Sequence, residues 1–245
     1  MTTDTHKAGR SDNTATGAPV RGSARAAAKA ERRQQLIDAT IRSIARHGLS
    51  GTTLAKVSEI AGTSIGLANF HFESKERLLI ATLQYLADEE REVWQLKTLD
   101  PALSPAQRLA AIVESRFHPR ICQHRKLAIW FAFYGDAGAR DIYRRVLADM
   151  DEERLAATIE ILEALYAATG QPAIDPRKTA LGLEAFYDGL WLNMLLYPDE
   201  FKRADCRDKA LGYIATLFPA TLPNRGARPE ARARSVPAKD KPDAP

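Results

Sequence analysis

The chain has 245 residues and 45% hydrophobic content, enough for one large domain or two modest ones with a real core. No apolar run is long enough to span a bilayer, and the N-terminal stretch lacks the apolar segment of a secretory signal, so a membrane or secreted protein is not expected. With 35 Lys and Arg against 31 Asp and Glu the net charge is +4, which permits a nucleic-acid partner without demanding one. The cysteines, Cys122 and Cys206, stand apart with no pairing pattern, as expected in a reducing cytoplasm.

Residues 1–30 are polar, rich in small residues and nearly free of acids, with Lys7, Arg10, Arg21, Arg25 and Lys29 spread along them. That composition predicts a disordered basic arm. A helix is predicted from Glu31 to His47, burying Leu36, Ile37, Thr40, Ile41, Ile44 and Ala45, with Gly48 at its end. Thr53 then caps a short helix whose Leu54, Val57, Ile60 and Ala61 share one face. Gly62 supplies a residue that tolerates positive φ, and Ser64 caps a second short helix beginning Ile65-Gly66-Leu67. Two short helices around a tight turn fit a helix-turn-helix, whose second helix enters a DNA major groove. The same pattern also fits an ordinary hairpin of two helices.

Ser74 starts a long helix through about Lys97 with Leu78, Leu79, Thr82, Leu83 and Leu86 inward. After a break, Ser104-Pro105-Ala106-Gln107 forms a capping box with Pro at the first helical position, opening a helix to about Phe117. An aromatic-rich helix from Lys126 ends at Gly135, and a long charged one from Arg140 to Ala168 is closed by Gly170. Asp175-Pro176 opens a helix over 177–197 that is apolar almost all round, and a last helix covers 204–218. Residues 220–245, rich in Pro, Arg and Ala, are predicted to be a disordered tail. No convincing strand pattern appears, so the predicted fold is all-α. It divides into a helix-turn-helix domain at 31–75 and a larger helical domain at 76–219.

Nothing points to catalysis. The chain has no nucleophile elbow, phosphate loop, HExxH or paired Cys/His set, so no catalytic, metal or cofactor site is expected.

The run Thr53, Leu54, Val57, Ala61, Gly62, Ser64, Gly66, Leu67, His71, Phe72, Lys75, Leu78 and Leu79 resembles the TetR family of transcriptional regulators. The stretches 32–40, Trp130-Phe131-Ala132-Phe133-Tyr134 and Asp188-Gly189-Leu190-Trp191-Leu192 resemble a narrower group, the BetI-type repressors that respond to choline. The resemblance implies a repressor that binds a palindromic double-stranded operator as a homodimer, pairing through its last two helices. It also implies release by a small effector. A nucleoid-type or adaptor protein is the alternative, and it predicts no cavity in the larger domain.

The resemblance places residues 64–70 in the major groove. Thr53, Ser64 and the free N–H groups at the helix starts suit phosphate, with Lys56, Thr63, His71 and Lys75 flanking. Ile65, Leu67, Asn69 and Phe70 are the candidate base readers, Asn for adenine and the apolar groups for thymine methyls, while Gly66 allows close approach. Leu67 and Phe72 suit core packing equally well. Arg21, Arg25, Lys29, Arg32 and Arg33 are candidates for further backbone or minor-groove contact.

Trp130, Phe133 and Tyr134 recur at helical spacing, as do Glu184, Tyr187, Asp188 and Trp191, and Trp94 is placed to complete a wall. Aromatic faces with carboxylates suit a quaternary ammonium, which has no N–H donor and binds through cation–π and Coulomb attraction. Such stripes are also the usual mark of a packed core. The resemblance adds choline or a related quaternary amine as the expected effector.

Overall fold

The computed structural model describes residues 21–170, 174–219 and 221, so the expected arm at residues 1–20 and nearly all of the expected tail lie outside the described residues. Among the described residues all regular structure is helical: α1 (Arg21–Gly51), α2 (Leu54–Ala61), α3 (Ile65–Phe72), α4 (Lys75–Thr98), α5 (Pro105–Arg116), α6 (His124–Gly135), α7 (Ala139–Thr169), α8 (Pro176–Leu196) and α9 (Arg203–Leu217).

The local signals act as expected at most boundaries. Thr53, Ser64 and Ser74 accept hydrogen bonds from the Lys56, Leu67 and Arg77 amides, each at 3.2 Å, and so cap α2, α3 and α4. Gly62 sits in the left-handed region at φ 66°, ψ 35°, reversing the chain between α2 and α3. Ser104 and Gln107 form the reciprocal capping box at the start of α5.

One boundary differs. Helix α1 starts at Arg21, ten residues ahead of the expected Glu31, so the last third of the expected arm is helical. Ala26-Ala27-Ala28-Lys29-Ala30 is a run of strong helix formers, and that propensity outweighs the small-residue composition. Gly48 breaks the helical backbone with φ 66° and ψ 179°, and one more turn follows to Gly51.

Helices α1, α2 and α3 lock together through polar as well as apolar contacts. Gln35 donates to the Ala61 carbonyl at 2.6 Å and Arg42 to the Ile60 carbonyl at 3.3 Å, so α1 satisfies the open C-terminal end of α2. Helix α4 leaves this unit with Leu78 and Leu79 in its core, then runs between α5 and α7. Helix α6 packs on α1 and α8, and α9 packs on α5 and α8. The buried side chains from Leu36 to Phe218 form one cluster, so the apolar core runs unbroken from the three-helix unit into the larger bundle.

Candidate nucleic-acid interface and ligand pocket

Helix α3 divides its side chains sharply. Ala68 and Phe72 are buried and Leu67 is half-buried, whereas Ser64, Gly66 and Asn69 are exposed. Ile65 is 51% and Phe70 69% exposed, high for large apolar groups with no cover. Phe72 is therefore not a DNA contact. At the last position of α3 it turns into the core with the Arg33 guanidinium 5.4 Å from its ring centre.

Around this face the polar groups differ in availability. The Thr53 and Ser64 hydroxyl oxygens accept from cap amides, which leaves each hydroxyl proton free for a phosphate. Thr53 is exposed and Lys56 is half-buried beside it. The Thr63 hydroxyl oxygen is buried and has no hydrogen-bond partner among the described residues. Burial, together with Lys29 and Arg33, pushes the His71 pKa below its usual value, which favours the neutral imidazole. Lys75 is half-buried, and its Nζ donates to the Leu49 carbonyl at 2.7 Å, so part of its hydrogen-bonding capacity is used inside the protein. The extension of α1 lies on this side too: Lys29 Nζ is 5.5 Å from the Phe70 ring centre.

The larger bundle contains a cavity of about 330 Å³ between α4, α5, α6, α7 and α8. Trp130, Tyr134, Glu184, Asp188 and Trp191 line it, as expected from sequence. Trp94, Phe133 and Tyr187 do not; they are fully buried in the core. For Phe133 and Tyr187 the reason is angular. At about 100° per residue the i and i+4 members of each stripe lie nearer one another than the i+3 member does to the i+4. Phe133 on α6 and Tyr187 on α8 therefore fall on the core side, Tyr187 meeting Phe117 edge-on at 6.2 Å.

Sequence reading missed the charges that fill the cavity floor. Arg116, the last residue of α5, pairs with Glu90 of α4, with Asp188 at 2.7 Å and with Glu184 at 3.8 Å. Arg154 of α7 pairs with Asp151 at 3.0 Å, Glu184 at 3.1 Å and Glu90 at 3.5 Å. The Arg116 guanidinium also lies 4.1 Å from the Trp191 ring centre, so that aromatic face is already occupied. A signal was present: Glu90, Arg116 and Arg154 sit at inward positions of otherwise apolar stripes, following Leu86, Ile112 and Met150 at i−4. Tyr143 was missed as well; its hydroxyl bonds that of Tyr134 at 2.9 Å, and its ring lies edge-on to Trp130.

Two guanidiniums thus face four carboxylates, and the charges are unevenly satisfied. Although burial opposes ionisation, Arg154 and Arg116 hold Glu184 below its usual pKa. Burial also opposes the Arg116 charge, but Glu90, Glu184 and Asp188 keep it firmly protonated. Burial raises Asp151 and Asp188, with help from nearby carboxylates and against the pull of the arginines. Their side chains are also the accessible ones, 40% and 37% exposed against 17% for Glu184. Beside them stand Trp130, Tyr134 and Tyr143, the tyrosines kept neutral because burial pushes Tyr134 up to about 12 and Tyr143 higher still. Acidic groups short of counter-charge next to neutral aromatic faces suit an organic cation.

Residues 36–82 match the family described as bacterial regulatory proteins of the tetR family, and residues 105–219 match the C-terminal domain of BetI-type transcriptional repressors. The HTH-type transcriptional regulator BetI of Paraburkholderia phymatum is 34% identical over 190 residues, covering 76% of this chain and 93% of the relative. Among solved structures, a transcriptional regulator of Pseudomonas aeruginosa PAO1 aligns with a TM-score of 0.67 at 26% identity, covering 78% of this chain and 92% of that one. A regulator from Saccharomonospora viridis, solved in complex with choline, shares the fold with a TM-score of 0.63 at 18% identity over 76% of this chain and 96% of its own.

Proposed function

The chain belongs to the TetR family of bacterial transcriptional regulators, in its BetI-type branch, and on that footing we propose that it is a cytoplasmic repressor released from its operator by a choline-like cation. The observation that carries the effector class is the cavity itself. Asp151 and Asp188 are accessible beside Trp130, Tyr134 and Tyr143, in a group of four carboxylates that shares only two guanidiniums. A quaternary ammonium brings the missing positive charge and no unsatisfied N–H donor, and its methyl groups fit the aromatic faces. A cavity of about 330 Å³ accommodates a small amine. The choline in the Saccharomonospora viridis protein supports the same class in a relative by fold.

DNA is read by the exposed face of α3, with Ile65, Asn69 and Phe70 toward the bases and Thr53, Ser64 and Lys56 toward the phosphates. One such head reaches one half-site, so a homodimer on a palindrome is needed for specificity. Helices α8 and α9 supply a surface for it: Leu181, Leu192, Leu196 and Tyr213 are exposed there. Titration calorimetry with choline and with its neutral isostere 3,3-dimethylbutan-1-ol tests the effector class. Binding of choline alone is expected; equal binding of both, or of neither, removes the cation reading.

A further inference from the structure

Arg116 is nearly fully buried, yet it occupies what a cationic ligand would seek: the Trp191 ring face and the carboxylates Glu90, Glu184 and Asp188. It is also poorly satisfied for so buried a group, because its Nε has no hydrogen-bond partner among the described residues. We infer, resting on the cation reading above, that Arg116 is a resident counter-cation that competes with the effector, and that Glu90 is the carboxylate whose partner changes when the effector binds.

The geometry ties this competition to DNA binding. Glu90 lies on α4, the helix that begins at Lys75, three residues after the end of α3. Arg116 holds Glu90 to α8 through Asp188, and Arg154 holds the same Glu90 oxygen to α7 at 3.5 Å. The adjacent residue, Glu89, points the other way and pairs with Lys126 of α6, whose Nζ also donates to the Arg120 carbonyl at 2.8 Å. Helix α6 in turn packs on α1. Glu89 and Glu90 thus clamp α4 between the cavity and the support of the DNA-reading unit. A cation that neutralises Asp188 loosens the hold of Arg116 on α8 and shifts how the two arginines share Glu90. The ligand then binds the two arrangements of α4 with different affinity, which is the condition for moving the equilibrium between them.

The test uses the full chain and its Arg116→Met and Arg116→Lys variants, with choline chloride and tetramethylammonium as probes and sodium chloride matching ionic strength. Removing a competing charge leaves four carboxylates with Arg154 alone, so Arg116→Met should bind either cation about tenfold more tightly than wild type or better. Arg116→Lys, a single point charge without the fork, should fall between. If Arg116→Met is unfolded without ligand, millimolar tetramethylammonium should restore its cooperative melting transition, as one cation replaces another. Wild type that binds choline while Arg116→Met binds it equally or more weakly overturns the inference and leaves the effector reading standing. An Arg116→Met protein that stays unfolded with the cation present overturns it too. If neither wild type nor variant binds a cation, the effector reading itself falls.

Discussion

The Lys75 ammonium donates a 2.7 Å hydrogen bond to the Leu49 carbonyl, joining the first residue of α4 to the broken end of α1. Lys75→Met should therefore lower unfolding stability by about 1–2 kcal/mol, measured by urea denaturation, because a half-buried carbonyl loses its charged donor. A stability unchanged within error, with a shallower salt dependence of operator binding, would assign Lys75 to the phosphates instead.

Two glycines of the reading unit separate backbone strain from DNA approach. Gly62 adopts φ 66°, so Gly62→Ala should cost about 1 kcal/mol of stability although a Cβ there meets nothing within 4 Å. Gly66 is helical, and its added Cβ would meet only Ser64 Oγ at 3.8 Å. Gly66→Ala should raise stability by up to about 1 kcal/mol while weakening operator binding, since the methyl stands on the exposed groove face. Thermal melts and anisotropy titrations of the same two proteins check both signs.

Asn69 and Phe70 are exposed on α3, and Phe70 meets the Lys29 ammonium and the His71 ring rather than the core. Asn69→Ala should cost about 1–3 kcal/mol at one operator position and little at the others. Phe70→Ala should weaken operator binding without lowering the melting temperature. Selection of operator variants against each protein reads the outcome, and a uniform loss over all sequences would rule out base reading by Asn69.

What was legible in the sequence is mostly what adjacent residues decide. The caps at Thr53, Ser64, Ser74 and Ser104 and the reversal at Gly62 follow from chemistry within four residues, and the helices lie near their expected places. The inward placement of Trp130, Tyr134, Glu184, Asp188 and Trp191 followed from helical spacing. Spacing could not say which edge of a stripe a neighbouring helix would cover, and Phe133 and Tyr187 went to the core for that reason. The inward charges of the Arg116 and Arg154 network showed in the stripes, but their pairing did not, because apart from Asp151 the partners are far apart in sequence: Arg116 reaches Glu90 across 26 residues and Asp188 across 72. Pairing at that distance is set by helix packing, not by local pattern.

The cavity carboxylates give a pH dependence with a definite sign. Asp151 and Asp188 have folded-state pKa values above the usual carboxylate range, so their ionisation at neutral pH works against the unliganded fold. That unfavourable contribution is relieved as pH falls through their raised folded values, whereas the contribution of Glu184, whose pKa is lowered, is lost only further down. Cation affinity should move the opposite way, weakening as pH falls through the raised folded values and the two aspartates take up protons. Calorimetry with choline at a series of pH values checks this, and an affinity that rises on acidification contradicts it.

The most direct measurement is operator affinity by fluorescence anisotropy, with and without saturating choline, for wild type and for the Asp151→Asn/Asp188→Asn double variant. The operator duplex is one selected by the protein in vitro. Choline should weaken wild-type binding about tenfold or more and leave the double variant unmoved. An equal response from both proteins, or choline bound by wild type with no change in operator affinity, would contradict the account.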